Sequence, residues 1–248
     1  MQENKKEITK EYYNNRFGEL SQNLNEEELL RWNALSAQIS KIKENKTLKI
    51  ADFGCGRGWL SNKLSEFGQV TGFDISELAV ANAKKSFPDS TFVCLDASQD
   101  IPLDFSEKFD LVVSSEVIEH IDDQENYLKN IHQLLKKEGN VIITTPNGSW
   151  FNAFYCDGRE RWKQPIENWR TPDELTALAS KVGISKISVT TFQSEWIFAF
   201  KPNVSVKWIS SDIVRKGLKA FGLYNNKINT LNKNMFGLNI MFLGKKHD

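Results

Sequence analysis

Glycines at alternate positions, Gly54, Gly56 and Gly58, stand between the apolar run IADF and a segment in which Leu60, Leu64 and Phe67 recur at helical spacing. Without Cβ atoms such a strand-turn-helix can turn sharply and let a ligand come close to the backbone amides. Asp74 ends the next apolar run 20 residues after Gly54, the position from which an acidic residue in a doubly wound sheet accepts hydrogen bonds from ribose hydroxyls. A bond to a charged acceptor is worth roughly 1.5–3 kcal/mol, enough to matter to affinity. Asp96 ends the third run, where a carboxylate can accept from the exocyclic amine of an adenine while Ala97 and Ser98 offer backbone amides. Glu116 ends the fourth. Open α/β sheets bind ligands outside the carboxyl ends of their strands, so these positions together describe a site for a nucleoside-bearing cofactor. A pyrophosphate-binding GxGxxG turn would need glycine where Trp59 stands, which argues against a nicotinamide dinucleotide.

The elements that must position these residues follow from hydrophobic periodicity. From Leu48 onward β-type runs alternate with helical segments: LKIADF, the glycine turn and its helix, VTGFD, a helix over 76–87, TFVCLD, FDLVVSSE, a helix near 123–137, and NVIITTP. Such alternation predicts βαβ units and a Rossmann-like, doubly wound, mostly parallel α/β sheet with helices on both faces. Gly68 is expected to cap the first helix, Ser76 to open the second, Pro88 to stop it, and Gly139 to end the third. After Pro146 comes an irregular aromatic-rich stretch, then a helix opened by TPDEL, a strand ISKISVTTF, and an antiparallel last strand near 236–244. We read 1–248 as a single domain: a polar helical cap over 1–47, a core over 48–192 with a substrate loop at 146–171, an insertion or lid at 193–234, and a final strand and tail at 235–248. In the cap, Tyr12, Tyr13, Arg16, Phe17, Arg31 and Trp32 can fold over a cofactor pocket or pack as amphipathic helices.

The ordered motifs ADFGCGRG, FDIS, CLDAS, FDLVVSSEVIEHI and TTPN resemble those of class I S-adenosylmethionine-dependent methyltransferases. The resemblance implies that Asp52, Gly54, Cys55 and Gly56 border the methionine moiety, with Cys55 a small turn residue rather than a reactive thiol. It further implies that Asp74 takes the ribose, that Ile75 packs on the adenine, that Asp96 with Ala97 reads its edge, and that Ser115 and Glu116 lie near the sulfonium. The cluster of Glu116, Glu119 and His120 resembles that of the quinone-biosynthesis O-methyltransferases, and also that of small-RNA 2′-O-methyltransferases, where such residues join a further histidine on a divalent metal. Only His132 and His247 remain to supply one, the first beside the apolar face of a helix and the second in the tail, so a metal is conceivable but not predicted. A hydroxyl acceptor must lose its proton, and His120, with an unperturbed pKa of about 6.5, is the best general base, with Glu119 orienting it. Trp150, Tyr155, Trp162 and Trp169 can wall an acceptor, and Arg159 among them suggests an anionic one.

Composition excludes several alternatives. Lysine plus arginine and aspartate plus glutamate both number 32 in 248 residues, so no global field attracts nucleic acid or an anionic membrane. Between 201 and 248, however, nine basic residues face two acidic ones, a local excess that fits an anionic substrate. No run approaches the ~18 apolar residues of a spanning helix. Cys55, Cys94 and Cys156 show no paired spacing, which fits a reducing, cytoplasmic setting. We read the chain as transferring a methyl group to a small molecule. The balanced charge and the missing further histidine count against the alternative of a metal-assisted RNA 2′-O-methyltransferase; Gly54, Gly56, Asp74 and Asp96 argue for cofactor binding and say nothing about turnover, so a non-catalytic cofactor-binding protein is the other alternative, and oligomeric state is not specified.

Overall fold

The computed structural model describes residues 2–17, 24–43, 46–149, 164–192 and 239–247. Seven strands form one sheet: β1 (Leu48–Phe53), β2 (Gly68–Asp74), β3 (Thr91–Cys94), β4 (Phe109–Ser115), β5 (Leu135–Pro146), β6 (Ile184–Phe192) and β7 (Asn239–Lys246). Their order is β3-β2-β1-β4-β5-β7-β6, parallel from β3 to β5, with β7 antiparallel to both its neighbours. The helices are α1 (Gln2–Phe17), α2 (Glu26–Lys43), α3 (Trp59–Leu64), α4 (Glu77–Ser86), α5 (Gln124–Leu134) and α6 (Pro172–Lys181). The expected fold class is therefore observed, including the antiparallel last strand.

Alternation along the central strands explains why both faces are covered. Ala51, Phe53, Val112, Ile143 and Phe242 face one way, onto Tyr127, Leu128 and Ile131 of α5 and Leu175 of α6. Ile50, Leu111, Val113, Ile142 and Leu243 face the other, onto Trp32, Leu35 and Ile39 of α2 and Leu60 and Leu64 of α3. Burying each such side chain contributes about 1.5–3 kcal/mol, so these two layers hold the strand ends in fixed relation. Helix starts follow their caps: Ser76 accepts from the Ala79 amide at 3.0 Å, Asp123 from that of Asn126 at 2.9 Å, and Thr171 forms a capping box with Glu174.

Several boundaries differ from the periodicity. Gly68 opens β2 rather than capping α3, because there the chain passes so close to β1 that a Cβ would lie 1.9 Å from the Leu48 carbonyl oxygen. The helix α5 ends at Leu134, and Leu135 already pairs with Phe109 in the sheet, so the next residues bulge out before Asn140 meets Leu111. Helical spacing alone cannot separate these arrangements, since Leu135 is buried in either. The strand β3 stops at Cys94, which takes Leu95 and Asp96 off the sheet edge, and β7, described over Asn239–Lys246, continues past the expected end at Gly244. The proposed insertion at 193–234 lies outside the described residues.

Replacing Gly68→Ala should destabilise the fold by about 1–3 kcal/mol, as the backbone rather than a flexible side chain occupies the space. Urea unfolding would show the midpoint fall with little change in slope.

Candidate functional site

The strands β1 and β4 are neighbours from which the chain proceeds in opposite directions across the sheet, and the crevice at this switch point lies outside their carboxyl ends. A cavity of about 280 Å³ occupies it. Of the residues singled out from the sequence, Gly54, Asp74, Ile75, Asp96, Ala97, Glu116 and His120 line it. Sequence reasoning missed Phe73, Leu95, Val117, Ile121 and Ile166, apolar residues whose contribution depends on which way the chain turns after each strand. Thr9 and Tyr13 reach it from α1, of which only Tyr13 was foreshadowed, as an aromatic of the cap.

The glycine turn uses its amides internally. The Gly54 and Cys55 amides both donate to the Phe73 carbonyl at 2.8 Å, that of Gly58 to Cys55 at 2.9 Å, and that of Gly56 to Asp74 Oδ2 at 2.7 Å. The expectation that a ligand approaches these amides is therefore corrected: the turn presents its missing side chains, while its N–H groups brace β2. At Gly54, with φ +94°, a Cβ would also meet Val117 at 2.3 Å. A turn so engaged has few donors left for a pyrophosphate. Ser98 is corrected likewise, since its amide and hydroxyl donate to Asp96 Oδ1 at 2.9 and 2.7 Å.

Buried carboxylates gather behind the turn. Asp52 takes the Ser61 hydroxyl on Oδ2 at 2.6 Å, while Oδ1 is buried without a hydrogen-bond partner among the described residues. Burial, followed by the charge of Asp74, pushes its carboxyl up to about 7. Asp74, also raised by burial, accepts from the Ser76 amide at 2.9 Å as well as from Gly56. Cys55 is buried and its thiol raised by that burial, as suits an inert turn residue. Ser115 bonds the Thr144 hydroxyl at 2.9 Å beside the cavity.

The helix α2 closes this end. Nη2 of Arg57 donates to both oxygens of Glu28 at 2.8 and 2.7 Å, a nearly buried ion pair tying α2 to the glycine turn. Arg31 stands 3.6 Å from Glu116 Oε2. Glu116 has φ +58°, an uncommon backbone for a residue with a side chain, and its Oε1 and the Nε of Arg31 are buried without hydrogen-bond partners among the described residues.

Glu119 and His120 follow on a short 3-10 turn, Ile118–His120. His120 Nδ1 lies 3.0 Å from the Ile166 carbonyl, which can only accept, so Nδ1 carries hydrogen and Nε2 is the basic nitrogen of the neutral ring. Glu119 is 2% exposed, accepts from the Thr145 hydroxyl at 2.9 Å, and lies 3.6 Å from His120 Nε2. Burial, then the charge of Glu116, holds its carboxyl well above the usual range. The segment carrying Ile166 is fixed by the Asn168 amide on the Glu119 carbonyl at 2.8 Å and by Gln124, which donates to Asn168 and accepts from Arg170. No group of three or more His, Cys, Asp or Glu side chains among the described residues could hold a metal ion. Trp169 lies on this segment, half-buried, but does not line the cavity. Trp150, Tyr155, Arg159 and Trp162 lie outside the described residues. In the basic tail, Lys246 binds Glu107 and Lys245 binds Glu138, at the end of the sheet opposite the crevice. No helix among the described residues is long and apolar enough to cross a membrane.

Comparison with known proteins agrees with this geometry. A family model described as a methyltransferase domain matches residues 17–192. A ubiquinone biosynthesis O-methyltransferase of Bradyrhizobium diazoefficiens is 31% identical over 185 residues, covering 67% of this chain and 72% of the relative. One of the same name from Pelagibacter ubique is 35% identical over 160 residues, covering 59% and 65%. Among solved structures, a SAM dependent methyltransferase from Archaeoglobus fulgidus superposes with TM-score 0.60 at 21% identity, covering 88% of this chain and 93% of that one. The fold, the site at the strand ends and the extent of the matched domain lead to one conclusion: the chain belongs to the S-adenosylmethionine-dependent methyltransferases.

Proposed function

We propose that this enzyme, as a single domain, methylates a hydroxyl oxygen of a small molecule, with His120 as general base. The observation that carries this reading is that His120, oriented by the bond from Nδ1 to the Ile166 carbonyl, lines the same cavity as Asp74 and Asp96.

The residues present fit S-adenosylmethionine. Asp74 has lone pairs left on both oxygens for ribose hydroxyls, and Asp96, whose Oδ1 serves Ser98, keeps Oδ2 for an adenine amine. Ile75 and Ala97 supply apolar wall. Asp52, Gly54, Cys55 and Gly56 border the methionine end, with Ser115 beside it. Arg31 and Glu116, each with a buried unpartnered atom, match the opposite charges of an α-amino acid group. When bound, the cofactor supplies a methyl group on a positively charged sulfonium. His120 takes the acceptor hydroxyl's proton at Nε2, with Glu119 Oε1 3.6 Å from that nitrogen to orient the ring. Holding the acceptor in line is the remaining task of the residues around Tyr13 and Ile166. The names of the curated relatives make hydroxylated quinone precursors the first acceptors to assay. Arg159 and its basic neighbours make anionic acceptors the second, and Trp150, Tyr155, Trp162 and Trp169 are the aromatic residues assigned to hold either. A reducing cytoplasmic setting suits free Cys55 and Cys94.

Isothermal titration should show Asp74→Ala losing roughly tenfold or more in affinity for S-adenosylmethionine, while His120→Ala binds normally and loses about 100-fold in turnover, followed as S-adenosylhomocysteine formed. Equal loss of binding in both would reject this division of roles.

Asp52 gives a pH test. Its folded pKa of about 7 exceeds the ordinary 3.8, so the folded protein keeps a proton that the unfolded chain releases, and stability falls as pH rises through that window. Urea unfolding at pH 5 and pH 8 should show the wild type losing on the order of a few kcal/mol more than Asp52→Asn; parallel behaviour would rule out a raised Asp52.

A further inference from the structure

Three amide side chains of α5, Asn126, Asn130 and Gln133, follow one another at helical spacing and so share one stripe of the helix. All three donate to backbone carbonyls of the chain that follows β3. Asn126 Nδ2 reaches the Ser98 carbonyl at 3.0 Å, and Gln133 Nε2 that of Ile101 at 3.1 Å. Asn130 Nδ2 reaches two, Ala97 at 2.9 Å and Gln99 at 2.7 Å, one for each of its hydrogens. Asn130 is also only 3% exposed, although asparagine favours neither burial nor a helix interior. An amide suits this place because it offers two donors with no charge to desolvate. A carboxylate there would set acceptors against acceptors.

The loop held in this way brings Leu95, Asp96, Ala97 and Ser98 to the cavity wall. Its upstream end is tied to β2 by the Leu95 amide, which donates to the Asp74 carbonyl at 2.9 Å. Between the two anchors, the planarity of the peptide group transmits the grip of α5. The Ala97 carbonyl and the Ser98 amide belong to one rigid unit. That amide donates to Asp96 Oδ1 at 2.9 Å, beside the Ser98 hydroxyl at 2.7 Å. Asn130 therefore holds one edge of a peptide plane whose other edge holds Asp96. Asn126, on the Ser98 carbonyl, fixes the next plane. Without Asn130 the Ala97 and Gln99 carbonyls lose their donor, and the plane that orients the Asp96 carboxylate is free to turn.

We propose that Asn130, assisted by Asn126, is a positioning residue that sets the base selectivity of the cofactor site, by fixing the peptide plane from which Asp96 is held. The inference rests on the cofactor reading above, in which Asp96 accepts from the adenine amine. Calorimetric titration of the full chain tests it, using S-adenosylhomocysteine and the analogue in which purine replaces adenine, so that only the 6-amino group is missing. The wild type should prefer the amine-bearing compound by about tenfold or more, the worth of a hydrogen bond to a charged acceptor. Asn130→Ala should lose most of that preference by binding S-adenosylhomocysteine more weakly, while its affinity for the purine analogue stays nearly the same. Asn126→Ala, at a half-buried position with one bond to lose, should shift the preference in the same direction by a smaller factor, and it carries the test if melting shows Asn130→Ala to be unfolded. A folded variant that binds both compounds more weakly by the same factor, or retains the wild-type preference, would overturn the positioning role and leave the cofactor reading intact. A wild type without preference would overturn the pairing of Asp96 with adenine and this inference with it. Failure of the folded wild type to bind either compound would overturn the cofactor reading as a whole.

Discussion

The hydrogen bond from the Gly56 amide to the Asp74 carboxylate, at 2.7 Å, is the constraint on which the site depends. It joins the turn after β1 to the end of β2, and it does so with a carboxylate that lines the cavity. Because the Gly54 and Cys55 amides are bound to the Phe73 carbonyl beside it, the turn is held rigid without help from a ligand. A bond between a buried amide and a carboxylate is stronger than one between neutral groups, and losing either partner would leave the other unsatisfied in a poor solvent. The glycines are therefore needed for what the backbone does to itself. That the turn spends its donors on β2 also explains why a Rossmann-like sheet can serve a nucleoside without a pyrophosphate.

The same economy of water governs the rest of the crevice. Asp52, Asp74 and Glu119 all have raised carboxyl groups because two packed helical layers exclude solvent behind the strand ends. Burial of this kind opposes stability and persists where the groups have a task. The Glu28–Arg57 pair brings a paired charge into the wall at the turn and fixes α2 across it. Around Glu116 the pairing is looser, with a left-handed backbone, Oε2 3.6 Å from Arg31 and Oε1 without a hydrogen-bond partner among the described residues. Strain and unmet hydrogen bonds at one residue mark a place shaped for another molecule.

On the acceptor side, His120 is oriented by a carbonyl from a segment 46 residues away in sequence, itself pinned by the Glu119 backbone and by Gln124. His120 and the loop that meets it are thus one assembly, so changes in that segment reach the histidine's orientation.

From residue types and spacing alone came the order of strands and helices, the glycine turn, and the acids at the ends of β2, β3 and β4. These were legible because strand periodicity and caps are local, and because parallel strands all deliver their carboxyl ends to one side. Local pattern misassigned Gly68 and Gly139, whose positions depend on how closely Leu48 approaches and how the chain re-enters the sheet beside Phe109. It also could not tell that the turn's amides face inward, that Arg31 meets Glu116, or that Ile166 settles the tautomer of His120. Each of those facts joins residues distant in sequence, and only packing of the two helical layers on a twisted sheet brings such atoms within hydrogen-bonding distance. Sequence by itself determined what kinds of groups stand after the strand ends around the crevice; tertiary structure decided which of their atoms remain available, because burial and competing bonds set that availability.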